Sequence, residues 1–156
     1  MPRFVKADVT ITVLHPSTSA SLLTVSGKGD LNIDGFKPGN REAIAIYDRD
    51  DYEGLVPSKL AEQSINWSLG VPNASMTDAV AYKYNDFIHN TGAFAAIPTA
   101  DPGGRVKTYR LRVAFDDGTS SGIYTFNSVH VGGGLAEGDE LMITISATNY
   151  NGFTLT

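Results

Sequence analysis

The 156-residue chain contains no cysteine. This excludes disulfides, thiolate zinc sites and cysteine nucleophiles together, and leaves packing and hydrogen bonds to hold the fold. Long apolar runs are missing too. Nothing approaches the roughly 20 residues of a membrane-spanning helix, and the opening MPRFVKADVTITVLH lacks the apolar stretch of a signal peptide. The expectation is a soluble protein that folds in the cytosol and has no membrane partner. Positive charge is scarce, with 12 Lys and Arg against 17 Asp and Glu, a net charge of −5 and a pI near 5.0. Such a chain has no strong net attraction to nucleic-acid phosphates or anionic lipids.

What the chain does have is a globular composition. It is 42% hydrophobic and 19% charged, with 16 glycines and seven prolines. That suits a single domain over residues 1–156 with many turns. Apolar and polar residues alternate repeatedly, as in half-buried strands. Val9, Ile11 and Val13 alternate with threonines; Leu31 and Ile33 follow GKGD; Ile44 and Ile46 lead into IYDRDDYEG; Ile65, Trp67 and Leu69 form another face. Tyr109, Leu111, Val113 and Phe115 share one side of a longer strand, opposite Thr108, Arg110 and Arg112, and Leu141, Ile143 and Ile145 mark the last strand. Asp117-Gly118 between two alternating runs signals a hairpin over Tyr109 to Val129. One segment has helical spacing instead: Met76, Val80, Tyr84, Phe87 and Ile88 predict a flanking helix around 76–90, stopped at Asn90 to Gly92. The fold class expected is mainly β, sandwich-like or barrel-like, with that one helix.

Motifs that suggest chemistry fail in their context. IYDRDDYEG places three aspartates and a glutamate within eight residues, yet counting a calcium loop from Asp48 puts Tyr52 at position 5 and Glu53 where glycine belongs. Alternating stretches flank it, so a hairpin over Glu42 to Pro57 with an acidic tip is expected, and neighbouring acids on an exposed turn lack the burial that separates their pKa values for acid–base work. Gly118 to Gly122 satisfies G-x-S-x-G, but the nucleophile elbow needs a helix after the turn and here a strand follows. Gly27 to Asp30 and Gly132 to Gly134 match no phosphate-binding pattern and read as turns. Lys107, Arg110 and Arg112 read as a basic strip on one strand, and Trp67 as a core residue. No catalytic residue, cofactor site or metal site emerges, and the expectation is that the protein is not an enzyme.

Several segments, in order, resemble the tail tube (major tail) proteins of long-tailed bacteriophages: GDLNIDG, REAIAIYDRDDYEGLVPSK, SINWSLG, DFIHNTG, KTYRLRVAFDDG, IYTFNSVHV and LAEGDELMITISATNY. The likeness runs from Gly29 to Tyr150. It implies a single tail-tube-like domain whose copies form hexameric rings, stacked into a hollow tube in the virion tail. Viral DNA would pass through the tube without specific binding, and the tape-measure and other tail proteins would be partners. The protein would be made in the bacterial host cytoplasm. It also implies that hairpin strands of each subunit join an inner barrel. The hairpins Glu42–Pro57 and Tyr109–Val129 are the candidates here, helped by the small-residue faces of Ala43, Ala45 and Ala114. Candidate lumen or inter-subunit residues are Asp48, Asp50, Asp51, Glu53, Arg110, Arg112, Asp116 and Asp117. The arm 1–6 and the loop Ala93 to Arg105 are candidates for contacts between rings. Tail terminators and parts of contractile injection machines share the fold. Two other functions stay open: a carbohydrate-binding β-sandwich using Tyr47, Tyr52, Tyr82 and Tyr150, and a capsid decoration protein.

Overall fold

The computed structural model describes residues 8–26, 30–70, 83–99, 101–137 and 141–156. Alternation becomes strand almost wherever it occurs: β1 (Val9–Leu14), β2 (Ser21–Ser26), β3 (Asp30–Asp34), β4 (Arg41–Asp48), β5 (Asp51–Leu60), β6 (Gln63–Gly70), β7 (Tyr109–Asp116), β8 (Ser121–Glu137), β9 (Leu141–Asn149) and β10 (Phe153–Leu155). One α-helix, α1 (Tyr84–His89), lies between β6 and β7. The fold is therefore mainly β with a single short helix among the described residues.

Eight strands form one sheet in the order β2-β1-β7-β8-β9-β6-β3, with β10 also paired to β8, and β4 and β5 form a separate hairpin. The length of β8 explains the shape. Its first half pairs with β7 from Ser121 to Val129 and takes β10 at Tyr124 to Phe126, whereas its second half, from Val129 to Glu137, pairs with β9. The sheet thus divides into two leaves that share β8. Ile11, Val13, Leu111, Val113 and Phe126 from one leaf join Ile65, Trp67, Ile143, Ile145 and Ala147 from the other in one buried cluster. Period-two patterning predicts this outcome, since alternate side chains of a strand face the same side. Trp67 is a core residue, as its spacing with Ile65 suggested.

The helix is shorter than its sequence pattern. Lys83, which precedes it, has extended backbone angles (φ −117°, ψ 148°), so a continuous helix over 76–90 is excluded; residues 71–82 lie outside the described residues. Its end is as expected, because Asn90 turns into the left-handed region and its N–H is donated to the Asp86 carbonyl. An aromatic triad anchors the segment: Phe87, Phe94 and Tyr109 have ring centroids 5.2–5.8 Å apart. Phe94, fully buried, stands on a 3₁₀ turn over Gly92–Ala96, so the first part of the long connection belongs to the core.

Gly132 to Gly134 form no turn. They lie within β8, opposite Ser146, Ile145 and Thr144 of β9. The physical reason is α1: a Cβ on Gly133 would stand 2.9 Å from the Thr144 carbonyl oxygen and 3.3 Å from the Ile88 side chain, which rests on this glycine floor. The other glycine run, Gly27 to Gly29, and the arm 1–6 lie outside the described residues.

Candidate assembly surfaces

The β4–β5 hairpin differs from every other strand pair in what covers it. Ile44 faces Val56, Ala45 faces Leu55 and Tyr47 faces Tyr52 across the ladder. Because paired residues share a face and successive ones alternate, Ile44, Ile46 and Val56 lie on one face, and Ala43, Ala45, Leu55 and Pro57 on the other. Both faces are exposed: Leu55 is 61% accessible, Ile44 51% and Tyr47 63%. Both outer edges also lack a strand partner among the described residues. A lone two-stranded hairpin is marginal in water, and an open apolar edge is a template for pairing with another chain.

The tip closes tightly. Asp48 pairs with Asp51, and the two residues between them, Arg49 and Asp50, both have positive φ (51° and 68°). This is the φ pattern of a two-residue hairpin turn that matches strand twist, with non-glycine residues in both strained positions. Asp48, Asp50, Asp51 and Glu53 are all exposed. Tyr47 and Tyr52 meet edge to face, 6.0 Å apart at 66°, instead of presenting a flat stacking platform.

At the opposite end the hairpin is pinned by buried amides that the sequence reading missed. Gln63 and Asn149 are wholly inaccessible. Asn149 Nδ2 donates to Gln63 Oε1 at 2.7 Å and to the Gly152 carbonyl at 3.1 Å, and its Oδ1 accepts from Ser128 N at 3.2 Å. Gln63 Nε2 donates to Asn40 Oδ1 at 2.9 Å and to the Ala61 carbonyl at 3.1 Å, while Ala61 N donates to the Asn40 carbonyl. Asn40 and Ala61 immediately flank β4 and β5, so this network ties the hairpin base to β6, β8, β9 and the C-terminal segment. Every amide atom of the buried pair that must be satisfied finds a partner, which is what makes a buried polar link rigid instead of costly.

The other candidate residues sit differently. Arg110 and Arg112 lie half-buried on the face of β7 opposite Leu111 and Val113, paired across the ladder with the buried Leu14 and Thr12 of β1, and Arg110 Nη1 donates to Ser19 Oγ at 2.6 Å. Lys107 does not join them as a strip; it lies ahead of β7 and donates to the Phe94 carbonyl at 2.6 Å. Asp116 and Asp117 organise the β7–β8 turn: Asp116 Oδ1 accepts from Gly118 N, and Asp117 Oδ1 accepts from Ser120 N and Thr119 N. The Ser120 and Thr119 amides hold Asp117 below the usual carboxylate range. Ser120 of the G-x-S-x-G match thus sits in a turn between antiparallel strands, with no helix following.

A cleft of about 390 Å³ opens where α1, the segment before β7 and β8 meet. His89, Arg105, Lys107 and His130 line it together with the apolar Val106 and Val131, and no acidic side chain does. Burial lowers the Lys107 pKa from its ordinary value. Tyr109 also lines the cleft; its hydroxyl is buried without a hydrogen-bond partner among the described residues, and burial pushes its pKa up to about 12. A smaller recess of about 340 Å³ shares Val106 and His130 and contains Asp101 and Tyr150. Spacing along the sequence could not have shown that His89 and His130 line one cleft. Among the described residues no group of three or more acidic or histidine side chains is placed to hold a metal ion.

No family model matches the chain, and no curated protein does. Solved structures do. A chain of the cryo-EM structure of the PVC sheath/tube terminator, from an extracellular contractile injection system in its extended state, superposes with a TM-score of 0.58 at 8% identity, covering 100% of this chain and 98% of that one. A chain of the PVC sheath-tube complex gives 0.55 at 8% identity, over 99% and 91% of the two chains. A chain of the anti-feeding prophage cap, described as a tube-terminating cap, gives 0.53 at 13% identity, over 100% and 92%. The chain has the fold of these proteins along its whole length.

Proposed function

We propose that this protein is a structural subunit of a phage-like tail or injection tube, assembling with copies of itself into rings that stack around a channel. The observation that carries the reading is the β4–β5 hairpin, exposed on both faces and, among the described residues, unpaired on both outer edges. Covering about half of a large apolar side chain contributes about 1 kcal/mol, so Ile44, Ile46, Leu55, Val56, Tyr47 and Tyr52 together supply about 6 kcal/mol per hairpin, comparable with the lower cost of associating two proteins. Strand pairing at the hairpin edges with neighbouring subunits would extend the ring into a barrel. The likeness to chains of tube and terminator assemblies supports the same class of role.

In the phage case the cargo is viral DNA, and the net charge of −5 suits a wall that does not grip phosphate. Hexameric symmetry, a tape-measure partner and a virion location follow from the same reading, as does the absence of an enzymatic role. A second reading, a terminal ring that closes a tube, is favoured by the likeness to terminator and cap structures. Negative-stain microscopy of the purified protein over a concentration series separates them. Tubes of uniform diameter support a tube subunit and isolated rings a terminator, whereas a monomer at every concentration rejects both.

A further inference from the structure

The hairpin body and the hairpin tip pose different questions. Apolar faces can be covered by neighbouring strands, but four carboxylates at the tip need a partner of opposite charge or water. Copies of a chain with net charge −5 repel one another overall, so association needs local complementarity. The described surface offers two groups of basic side chains away from the hairpin itself. Arg110 and Arg112 lie on a sheet face, where Arg110 donates to Ser19 much as Lys107 donates to the Phe94 carbonyl in the cleft. The cleft beside α1 is concave, is partly lined by apolar side chains, and gathers His89, Arg105, Lys107 and His130 without an acid.

We propose that this cleft receives the acidic tip of the β4–β5 hairpin from a second copy of the chain, with Asp48, Asp50, Asp51 and Glu53 against Arg105, Lys107 and the two histidines. The inference rests on the self-assembly reading above. The hairpin is long, because strands of eight to ten residues extend about 26–33 Å at roughly 3.3 Å per residue. Polarity agrees in both signs: the tip carries one cation, Arg49, and the recess adjoining the cleft carries one anion, Asp101. Val106, half exposed on the rim, offers Tyr47 or Tyr52 an apolar contact.

The test is a charge exchange in the full-length protein, followed by sedimentation. Arg105→Glu alone and Asp51→Arg alone each weaken self-association by at least about tenfold, and the two together restore most of it. Both sites are exposed, and circular dichroism confirms folding of each variant. A second measurement uses the absence of native cysteine: with a mild added oxidant to accept the two electrons, a mixture of Tyr52→Cys and Val106→Cys chains forms a mixed disulfide dimer in excess over a mixture of Tyr52→Cys and Arg112→Cys chains. Unchanged association in Arg105→Glu, no recovery in the double variant, or preferential cross-linking to position 112 overturns the docking while the parent still assembles. A parent that never associates overturns the self-assembly reading itself, and this inference with it.

Discussion

At the scale of single residues, the buried amides make the sharpest claim. Asn149→Ala would strip partners from Gln63 Oε1 and Ser128 N in a site without water access. Each buried group left unsatisfied costs about 1–3 kcal/mol, so a loss of about 3 kcal/mol in unfolding free energy is expected, read from denaturant midpoints. Tyr109 gives the pH-dependent counterpart. Its folded pKa, about 12, lies above the ordinary value of 10.0, so the folded state keeps a proton that the unfolded chain releases. Stability is therefore fully present below pH 10 and falls as pH rises towards 12. Tyr109→Phe removes this alkaline dependence and is neutral or slightly stabilising at pH 7, because its hydroxyl has no partner to lose. Chemical denaturation of both proteins at pH 7 and at pH 10–12 checks the claim. Neither residue could be assigned these roles from sequence: Asn40, Gln63 and Asn149 stand at the margins of alternating runs, where polar residues look like ordinary strand ends, and only the fold brings them together.

At the scale of elements, what was legible was what depends on local pattern. Period two located the strands, Asp117-Gly118 located the β7–β8 turn, and Asn90 located the helix stop. What failed depended on distant contacts. The Gly132–Gly134 run looked like a turn by composition, yet the need to seat Ile88 and pair with β9 makes it strand. The pattern from Met76 to Ile88 looked like one helix, yet Lys83 is extended. Alternation placed the β4–β5 hairpin correctly but could not tell whether its apolar faces are covered by this chain or by another. Two substitutions separate those roles. Arg49→Gly relieves a non-glycine left-handed residue and should stabilise the hairpin by about 1 kcal/mol, seen as roughly fivefold slower exchange of amides near the tip. Leu55→Ser should leave monomer stability within about 0.5 kcal/mol, since Leu55 is exposed, yet weaken self-association by about tenfold or more.

At the scale of the whole molecule, a two-leaf β core with its own buried cluster carries a rigidly rooted arm that the core does not cover. The core accounts for folding, and under the proposed self-assembly the arm would be covered by other copies. The same division explains why the candidate surfaces were only partly visible beforehand: contacts between copies leave no periodicity of their own in a single chain. Hydrogen exchange over residues 41–60 of the full-length protein, compared between dilute and concentrated solution, tests that purpose most directly. The account predicts that protection of these amides rises with concentration, in step with the appearance of assembled particles. Exchange that stays fast in this segment while the protein associates through another surface, or a chain that remains monomeric throughout, would contradict it.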